Sequence, residues 1–350
     1  MQEFQHLERN KKLNMLKKIL ILLFIFFVII IASNIYFLSK INDPIGGNNR
    51  IVEMPDNASV SLIVKTFNKQ NMLEPQWLYT IYLKIYSLFY NVTIYRGVYK
   101  FTPDNTNLDV IRSVLTGKQQ YIVKITYPEG ITLSDFAHIT AKFLKIDSAK
   151  FVNYCNSPTT LKKYGIKAKT AEGYLSPDTY NFYYNATIEQ VCDKLIKQQM
   201  KVWNGIKSKY KNKTKLNKHQ IMTLASIIEA EAPIVKERPI VAGLYLNRLR
   251  IGMKLDADPT VQYALKGKKK LMYRDLKVNS PYNTYIHKGL PPGPICSPGK
   301  SAIEAVFNYS KHNYLYFVAK GNKSGEHYFS TNFRNHINNK LRYKHNKKMN

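Results

Sequence analysis

Residues 216–239 read LNKHQIMTLASIIEAEAPIVKERP, and this stretch decides the fold of the second half of the chain. Apolar side chains recur at helical spacing as far as Pro233, which predicts a helix over residues 218–232. The periodicity resumes after the proline and predicts a second helix over residues 237–250. Two helices joined by a short turn favour a mainly helical domain around them.

A helical wheel places Glu229 on the apolar face of the first helix. Counted from Ile221, Glu229 falls at about 80°, inside the apolar arc, while Thr223 and Ser226 mark the polar side. Burial disfavours the charged carboxylate, and the negative C-terminal end of the helix opposes a further negative charge. Both effects raise the pKa of Glu229, which suits a general acid. The ordinary alternative is a structural glutamate paired with a lysine or arginine.

Glu231 is the obvious partner for a mechanism that uses two carboxylates. Two residues on a helix are separated by about 200°, so Glu231 is predicted to point away from Glu229. The spacing therefore favours a reaction with one acid/base, and Glu231 is interpreted as an ion-pairing or shaping residue.

A loop rich in proline and glycine covers residues 279–299 and includes SPYNTYIHKGLPPGPICSPG from Ser280 onward. A long loop without regular structure in a compact domain is usually functional. Tyr282, Asn283 and Tyr285 offer aromatic rings and an amide, which suit the apolar face and the hydroxyl rim of a sugar.

No metal or cofactor is predicted. Asp256 and Asp258 form an Asp-x-Asp pair, but no histidine or further carboxylate accompanies them, and Asp258 before proline is interpreted as a helix N-cap. His287, His312 and His327 have no serine or cysteine elbow near them, and GxSxG, HExxH, P-loop and GxGxxG contexts do not occur.

Residues 19–38 read ILILLFIFFVIIIASNIYFL and are long enough to cross a bilayer core of about 30 Å. A cleaved secretory signal, the alternative, would have a shorter apolar run and a small-residue cleavage site. Basic residues are concentrated before the span, so residues 1–18 are predicted to lie in the cytoplasm and the rest outside. We expect a single-pass inner-membrane protein with a periplasmic catalytic part, joined to the span by a linker over residues 39–50.

The remaining pattern predicts an α+β chain. A small α+β module covers residues 51–123, and a mainly helical domain with short strands covers residues 124–345. Besides the two helices above, helices are predicted at residues 57–68, 75–89, 108–115, 132–144, 188–203 and 301–309, and the first of them is capped by Asn57 or Ser59. Strands are predicted at residues 51–54, 95–102, 121–126, 314–319 and 327–330.

The net charge of +30 suits a polyanionic partner, although lysine spread over every solvated surface explains it equally well. No nucleic-acid module is recognisable, so nucleic acid is not expected as a partner. The three cysteines, Cys155, Cys192 and Cys296, have no metal-ligand spacing. One pair could bridge in an exported domain, and the sequence does not say which.

A set of short motifs occurs in a fixed order along the chain. The motifs are GVYKF (97–101), EGYLSPDTY (172–180), LASIIE (224–229), NRL (247–249), DPTV (258–261), YNTY (282–285), GLPPGPI (289–295), SPG (297–299), YLYFV (314–318) and HYF (327–329). Their order and spacing resemble those of the YceG-like endolytic murein transglycosylases, and the resemblance covers nearly the whole chain.

The resemblance implies a transmembrane helix, a LysM-like module at residues 51–123 and a catalytic domain at 124–345. It implies cleavage of the β-1,4 bond between N-acetylmuramic acid and N-acetylglucosamine in nascent glycan strands, leaving 1,6-anhydro ends and terminating elongation. Glu229 matches the catalytic glutamate. The implied partners are peptidoglycan strands, the inner membrane and peptidoglycan synthases. The implied substrate contacts are Glu231, Asn247, Arg248, Asp258, Thr260, Gln262, Tyr282, Asn283, Tyr285, Pro292 and Gly293.

The chain departs from the family pattern at Ala230, Ala232 and Ser176. These departures do not imply loss of activity. Two other functions stay open beside the lytic reaction. One is a membrane-tethered peptidoglycan-binding scaffold with weak catalysis, and the other is an ordinary hydrolytic muramidase.

Overall fold

A computed structural model describes residues 1–55, 58–210, 214–267 and 270–349, apart from the side chains of residues 2–8 and 10. The chain divides into two compact units, Met1–Ile122 and Val123–Asn350. The architecture is mixed, with many helices and three two-stranded sheets among the described residues. The expected mixture of helices with short strands is confirmed.

The first unit begins with one long helix. Its elements in chain order are α1 (Gln2–Ile41), β1 (Arg50–Met54), α2 (Val60–Asn68), α3 (Gln76–Phe89), β2 (Gly97–Phe101) and α4 (Asn107–Thr116). The part Lys11–Ile41 of α1 has a mean hydropathy of 2.9 in its most apolar window and is long enough to cross a membrane. Its side chains in that window are not buried against other described residues.

The core of the first unit lies between a two-stranded sheet and the helices that connect its strands. Strands β1 and β2 pair antiparallel, with Val52 opposite Tyr99. Phe67 of α2 packs edge-on against Phe101, and both side chains are fully buried. The side chain of Ser59 caps α2 by accepting from Leu62 N–H, whereas the other predicted cap, Asn57, lies outside the described residues.

The second unit contains the predicted catalytic region. Its first strand, β3, begins one residue before the unit boundary at Val123. The elements are β3 (Ile122–Thr126), α5 (Leu133–Phe143), α6 (Ser148–Cys155), α7 (Pro158–Lys163), β4 (Thr179–Tyr183), α8 (Ile188–Lys209), α9 (Lys218–Glu231), α10 (Arg238–Arg250), α11 (Asp258–Ala264), α12 (Lys300–Phe307), β5 (Tyr316–Ala319), β6 (His327–Ser330) and α13 (Phe333–Met349). Short 3₁₀ turns lie at Val235–Glu237 and Asp275–Lys277.

Helix α9 is the central element of this unit and contacts α10, α11 and α12. Every side chain from residue 221 to 228 is buried, so the helix has no solvated side along that stretch. The prediction that Thr223 and Ser226 mark a polar side is therefore wrong. Both hydroxyls donate within the helix, to the carbonyls of His219 and Thr223 respectively, and this lets two small polar side chains enter the core.

The ends of the long helices follow ordinary capping chemistry. Asn217 caps α9 and forms a reciprocal capping box with Gln220, and Thr187 does the same with Gln190 at the start of α8. The predicted cap of α11 is wrong by one position: the helix begins at Asp258, and Ala257 is its N-cap without a side-chain bond.

Candidate active site

Glu229 lies in the last turn of α9 and is bound to a buried cation. The guanidinium of Arg238 donates to both carboxylate oxygens, at 2.5 Å to Oε1 and 3.2 Å to Oε2. The side chains are 5% and 6% exposed. The backbone N–H of Gly299 donates to Oε2 at 2.9 Å, and Arg238 also donates to the hydroxyl of Ser301. The pair therefore joins the end of α9 to the starts of α10 and α12.

Burial raises the pKa of Glu229 above its ordinary value, while the Gly299 N–H and Arg238 oppose that rise. Glu129 adds a second negative charge nearby, and its carboxylate lies 3.7 Å from Arg238 Nη1. Arg238 is always charged and donates to both carboxylate oxygens, so it favours the ionised form of Glu229, while burial remains the larger influence on its pKa. Glu229 thus has the contacts of a structural ion pair, the alternative that the sequence left open.

Glu231, two residues further along, has a different environment. Burial is the largest influence on its carboxyl group and the charge of Asp258 the next, and together they raise the pKa of Glu231 to about 8. The hydroxyl of Tyr245, the charge of Arg248 and the backbone N–H of Asp258 act in the opposite direction. A carboxyl group with this pKa is mostly protonated at neutral pH.

Asp258 connects Glu231 to the long loop. Its Oδ1 atom accepts a hydrogen bond of 2.6 Å from the hydroxyl of Tyr285, which lies in the loop over residues 279–299. The structure thus brings together three of the predicted site residues, Glu231, Asp258 and Tyr285. It adds Tyr245, which lies on the next helix, α10, so that no local sequence pattern connects it to Glu231.

A second carboxyl group in this unit was also missed. Glu172 is 5% exposed, accepts from the N–H of Leu133 at 3.0 Å and lies 3.5 Å from the hydroxyl of Tyr263. Burial raises the pKa of Glu172 to about 7. The ring of Tyr263 packs against that of Tyr282 with a centroid distance of 4.8 Å, so Glu172 supports a tyrosine pair at the loop. Only the EGYLSPDTY motif could have drawn attention to it.

Four predicted substrate contacts direct their polar groups into the protein. Asn283 is fully buried and donates to the carbonyls of Leu276 and Val278. Asn247 donates to the carbonyls of His312 and Tyr314, and Arg248 to those of Leu315 and Leu255. The buried hydroxyl of Thr260 donates to the carbonyl of Ala257. These groups hold the loop and the neighbouring chain in place, and their hydrogen bonds are already made.

The remaining predicted contacts lie on α11 and on the proline-rich end of the loop. Gln262 is partly buried on α11, and Pro292 is exposed while Gly293 is buried. The carbonyl of Pro292 lies 2.7 Å from His219 Nε2, and the other ring nitrogen of His219 lies 2.8 Å from the hydroxyl of Tyr174. This chain of contacts fixes the loop to the first turn of α9.

A cavity of about 530 Å³ opens beside Glu129, on the side of the unit where the Glu229–Arg238 pair lies. Its wall combines acidic and basic side chains from α8, α12, the segment after Glu172 and the segment between β3 and α5. These include Glu129, Asp178, Lys201, Lys209, Lys300 and Glu304. The cavity therefore offers a polar, mixed-charge surface.

The chain belongs to the YceG-like family, whose model matches residues 52–342. A crystal structure of a YceG-like protein from Listeria monocytogenes aligns with a TM-score of 0.56 at 32% identity. That alignment covers 83% of this chain and 99% of the Listeria chain.

Two of the similar proteins carry the name endolytic murein transglycosylase. The protein of Bacillus subtilis strain 168 is 32% identical over 309 residues, which are 83% of this chain and 84% of the relative. The protein of Streptococcus pneumoniae serotype 2 is 29% identical over 332 residues, which are 85% of this chain and 59% of the relative. The chain thus matches little more than half the length of the streptococcal protein.

Proposed function

We propose that this chain is an endolytic murein transglycosylase that cleaves peptidoglycan glycan strands between N-acetylmuramic acid and N-acetylglucosamine. The family membership and the names of its relatives support the reaction class. The observation that carries the mechanism is the buried carboxyl group of Glu231, whose pKa is raised to about 8 and which lies beside Asp258, Tyr245 and the tyrosine-bearing loop.

We assign the proton to be transferred to Glu231 rather than to Glu229. A general acid must hold its proton near neutral pH and be able to release it to the substrate. Glu231 has a pKa of about 8 and a like charge next to it, whereas Glu229 is bound on both oxygens by an arginine. The sequence-based assignment of Glu229 remains a prediction, and matched variants of the two residues decide between them.

The proposed reaction needs one carboxyl group in two roles. Glu231 donates its proton to the bridging oxygen as the bond from muramyl C1 to that oxygen breaks. The resulting carboxylate then takes the proton from the muramyl C6 hydroxyl, whose oxygen forms the new bond to C1. The proton returns to Glu231, no water enters the product, and a 1,6-anhydro end remains. One acid/base therefore suffices.

Glu229 and Arg238 have a supporting role in this proposal. Their ion pair binds the N–H of Gly299 and the hydroxyl of Ser301, so it fixes the end of the long loop against the end of α9. Breaking such a buried pair leaves an uncompensated charge, which is strongly destabilising. Loss of activity in a Glu229 variant can thus arise through a displaced loop.

Three tyrosines are proposed to line the strand-binding surface. Tyr263, Tyr282 and Tyr285 are partly exposed and lie around the carboxyl groups of Glu172, Asp258 and Glu231. Partly exposed tyrosines present an apolar ring and a polar hydroxyl, which suit the two kinds of surface on a sugar. The remaining sequence-predicted contacts Gln262, Pro292 and Gly293 stay candidates at the edges of this surface.

The first unit is proposed to anchor and position the enzyme. Its long apolar helix would cross the inner membrane with the N-terminus in the cytoplasm, and residues 124–345 would act outside. The strand–helix–helix–strand order of β1, α2, α3 and β2 supports assigning residues 51–123 to a LysM-like module. Strand termination in association with peptidoglycan synthases is the physiological role we propose.

Product analysis in ¹⁸O-water tests the proposed reaction. Purified glycan strands are incubated with the enzyme, and the new ends are measured by mass spectrometry. The lytic reaction is expected to give anhydro ends without ¹⁸O. Ends that contain one ¹⁸O atom would identify a hydrolytic muramidase, and binding to strands without new ends would identify the scaffold function.

A further inference from the structure

The C-terminal helix α13 carries a basic surface with no acidic residue. Between Phe333 and Met349 the sequence contains six cationic side chains and no aspartate or glutamate. The six are Arg334, Lys340, Arg342, Lys344, Lys347 and Lys348. Neutral residues fill the remaining positions, so the helix repels cations and attracts anions along its whole length.

One face of α13 packs on the sheet formed by β5 and β6. The partly buried residues His336, Asn339, Tyr343 and Asn346 recur at spacings of three and four, which defines one side of the helix. The ring of His336 stacks on Tyr316 with a centroid distance of 5.3 Å, and Asn346 donates to the carbonyl of Lys320 at 2.7 Å. This side is therefore already used within the unit.

The opposite face combines apolar and basic side chains, all exposed. Arg334, Ile337, Leu341, Lys344 and Lys348 follow one another at spacings of three and four and so share one stripe. Leu341 is 59% exposed and Ile337 is 39% exposed, and Phe333 at the rim is 60% exposed. Two apolar residues thus lie in the middle of the stripe, with cations at both ends.

We propose that this face of α13, which we call the basic stripe, docks on an anionic phospholipid surface. A helix with apolar side chains between lysines and arginines lies in the interface of a bilayer, with the apolar residues entering the acyl boundary and the cations at the headgroups. Each lysine or arginine near an anionic surface contributes to the attraction. A dissolved polyanion would explain the cations but gives no role to Ile337 and Leu341.

The membrane is the partner that the rest of the chain favours. The proposal rests on the membrane anchoring proposed for α1, because a tethered domain meets its own bilayer at a high effective concentration. Weak binding by one short helix is then sufficient to orient the second unit.

Fluorescence of a label at position 341 tests the proposal on the full chain. The three native cysteines are buried, so Leu341→Cys can be labelled selectively with an environment-sensitive dye. Ile251→Cys, in the same unit and 56% exposed, is the matched control. The labelled chains are reconstituted in nanodiscs of phosphatidylcholine alone or with phosphatidylglycerol.

The expected result is a blue shift of the label at 341 in anionic nanodiscs, lost in about 1 M salt and in Lys344→Glu/Lys348→Glu. Emission at 341 that is the same in both lipids would overturn the proposal, and so would an equal shift at 251. A shift produced by soluble polyglycerol phosphate without lipid would instead identify a polyanion site. The emission of the label does not depend on catalysis, and Glu231→Gln should leave the shift unchanged. A failure of the membrane-docking proposal can therefore be distinguished from a failure of the proposed reaction.

Discussion

The guanidinium of Arg238 binds both carboxylate oxygens of Glu229, nine residues before it in the chain, and the two side chains are almost completely buried. The contact crosses the turn between α9 and α10 and ends beside Gly299, where α12 begins. Three elements of the second unit thus meet at one ion pair, and the position of the long loop depends on it.

Arg238→Met is expected to destabilise the second unit by about 3–5 kcal/mol, because it leaves the charge of Glu229 buried without a partner. The double variant Glu229→Gln/Arg238→Met should recover much of that loss, since neither charge remains. Urea unfolding followed by tryptophan fluorescence measures both. Equal instability of the single and double variants would contradict the ion-pair account.

The rate of strand cleavage should depend on the proton of Glu231. With a pKa of about 8, Glu231 carries its proton at neutral pH and loses it as the pH rises above that value. We expect kcat to fall about tenfold per pH unit above that value. The measurement is kcat on purified strands between pH 6 and 10, and a rate that keeps increasing to pH 10 would contradict the assignment.

Stability should fall with rising pH through the titration of Glu172. Its ordinary pKa is 4.5 and the folded value is about 7, so the folded state binds the proton more tightly than the unfolded state. The stabilisation is complete below the ordinary value and disappears as the pH rises through the folded value, with a size of about 3 kcal/mol. In a plot of Tm against pH, Glu172→Gln should remove the fall of Tm between the ordinary and the folded pKa of Glu172. An unchanged slope in that range would contradict the role given to Glu172.

Tyr282 and Asn283 should respond differently although they are neighbours. Tyr282→Leu removes a partly exposed ring and is expected to raise KM with little change in Tm. Asn283→Ala removes three side-chain hydrogen bonds, two donated to the carbonyls of Leu276 and Val278 and one accepted from Tyr285 N–H, and is expected to cost about 1–3 kcal/mol of stability. Steady-state kinetics and thermal unfolding of the two variants distinguish a substrate contact from a loop support.

The cysteines that the sequence left unassigned divide into a pair and a single residue. The Sγ atoms of Cys155 on α6 and Cys192 on α8 lie 2.8 Å apart, whereas Cys296 contacts the carbonyl of Ser226. With the second unit outside the membrane, as proposed, we expect Cys155 and Cys192 to be joined and Cys296 to be a thiol. Alkylation of the denatured, unreduced chain should modify Cys296 alone, and three modified cysteines would contradict this.

The sequence predicted the elements whose signals are local. The apolar periodicity of α8, α9 and α10 set those helices to within a few residues, apart from the longer C-terminal end of α8. Helix α13 was missed because polar and basic residues fill most of its positions, so its few apolar residues give only a weak helical period. Helices α6 and α7 and strand β4 are short and were also missed.

The site could be predicted only in part, since its chemistry depends on contacts across the fold. A helical wheel found that Glu229 is buried but could not reveal Arg238, because the turn after Pro233 determines where that guanidinium lies. It also could not reveal that Asp258, from another helix, raises the pKa of Glu231. Asn283 was interpreted as a sugar contact from its residue type, whereas its burial is a property of the folded loop.

The most direct test compares Glu231→Gln with Glu229→Gln, which change the same chemical group two residues apart. Each purified variant is incubated with glycan strands, anhydro ends are counted by mass spectrometry, and thermal unfolding verifies the fold. We predict that Glu231→Gln forms no anhydro ends while unfolding cooperatively, and that folded Glu229→Gln retains measurable activity. Normal anhydro ends from Glu231→Gln, with none from a stably folded Glu229→Gln, would contradict the proposed role of Glu231.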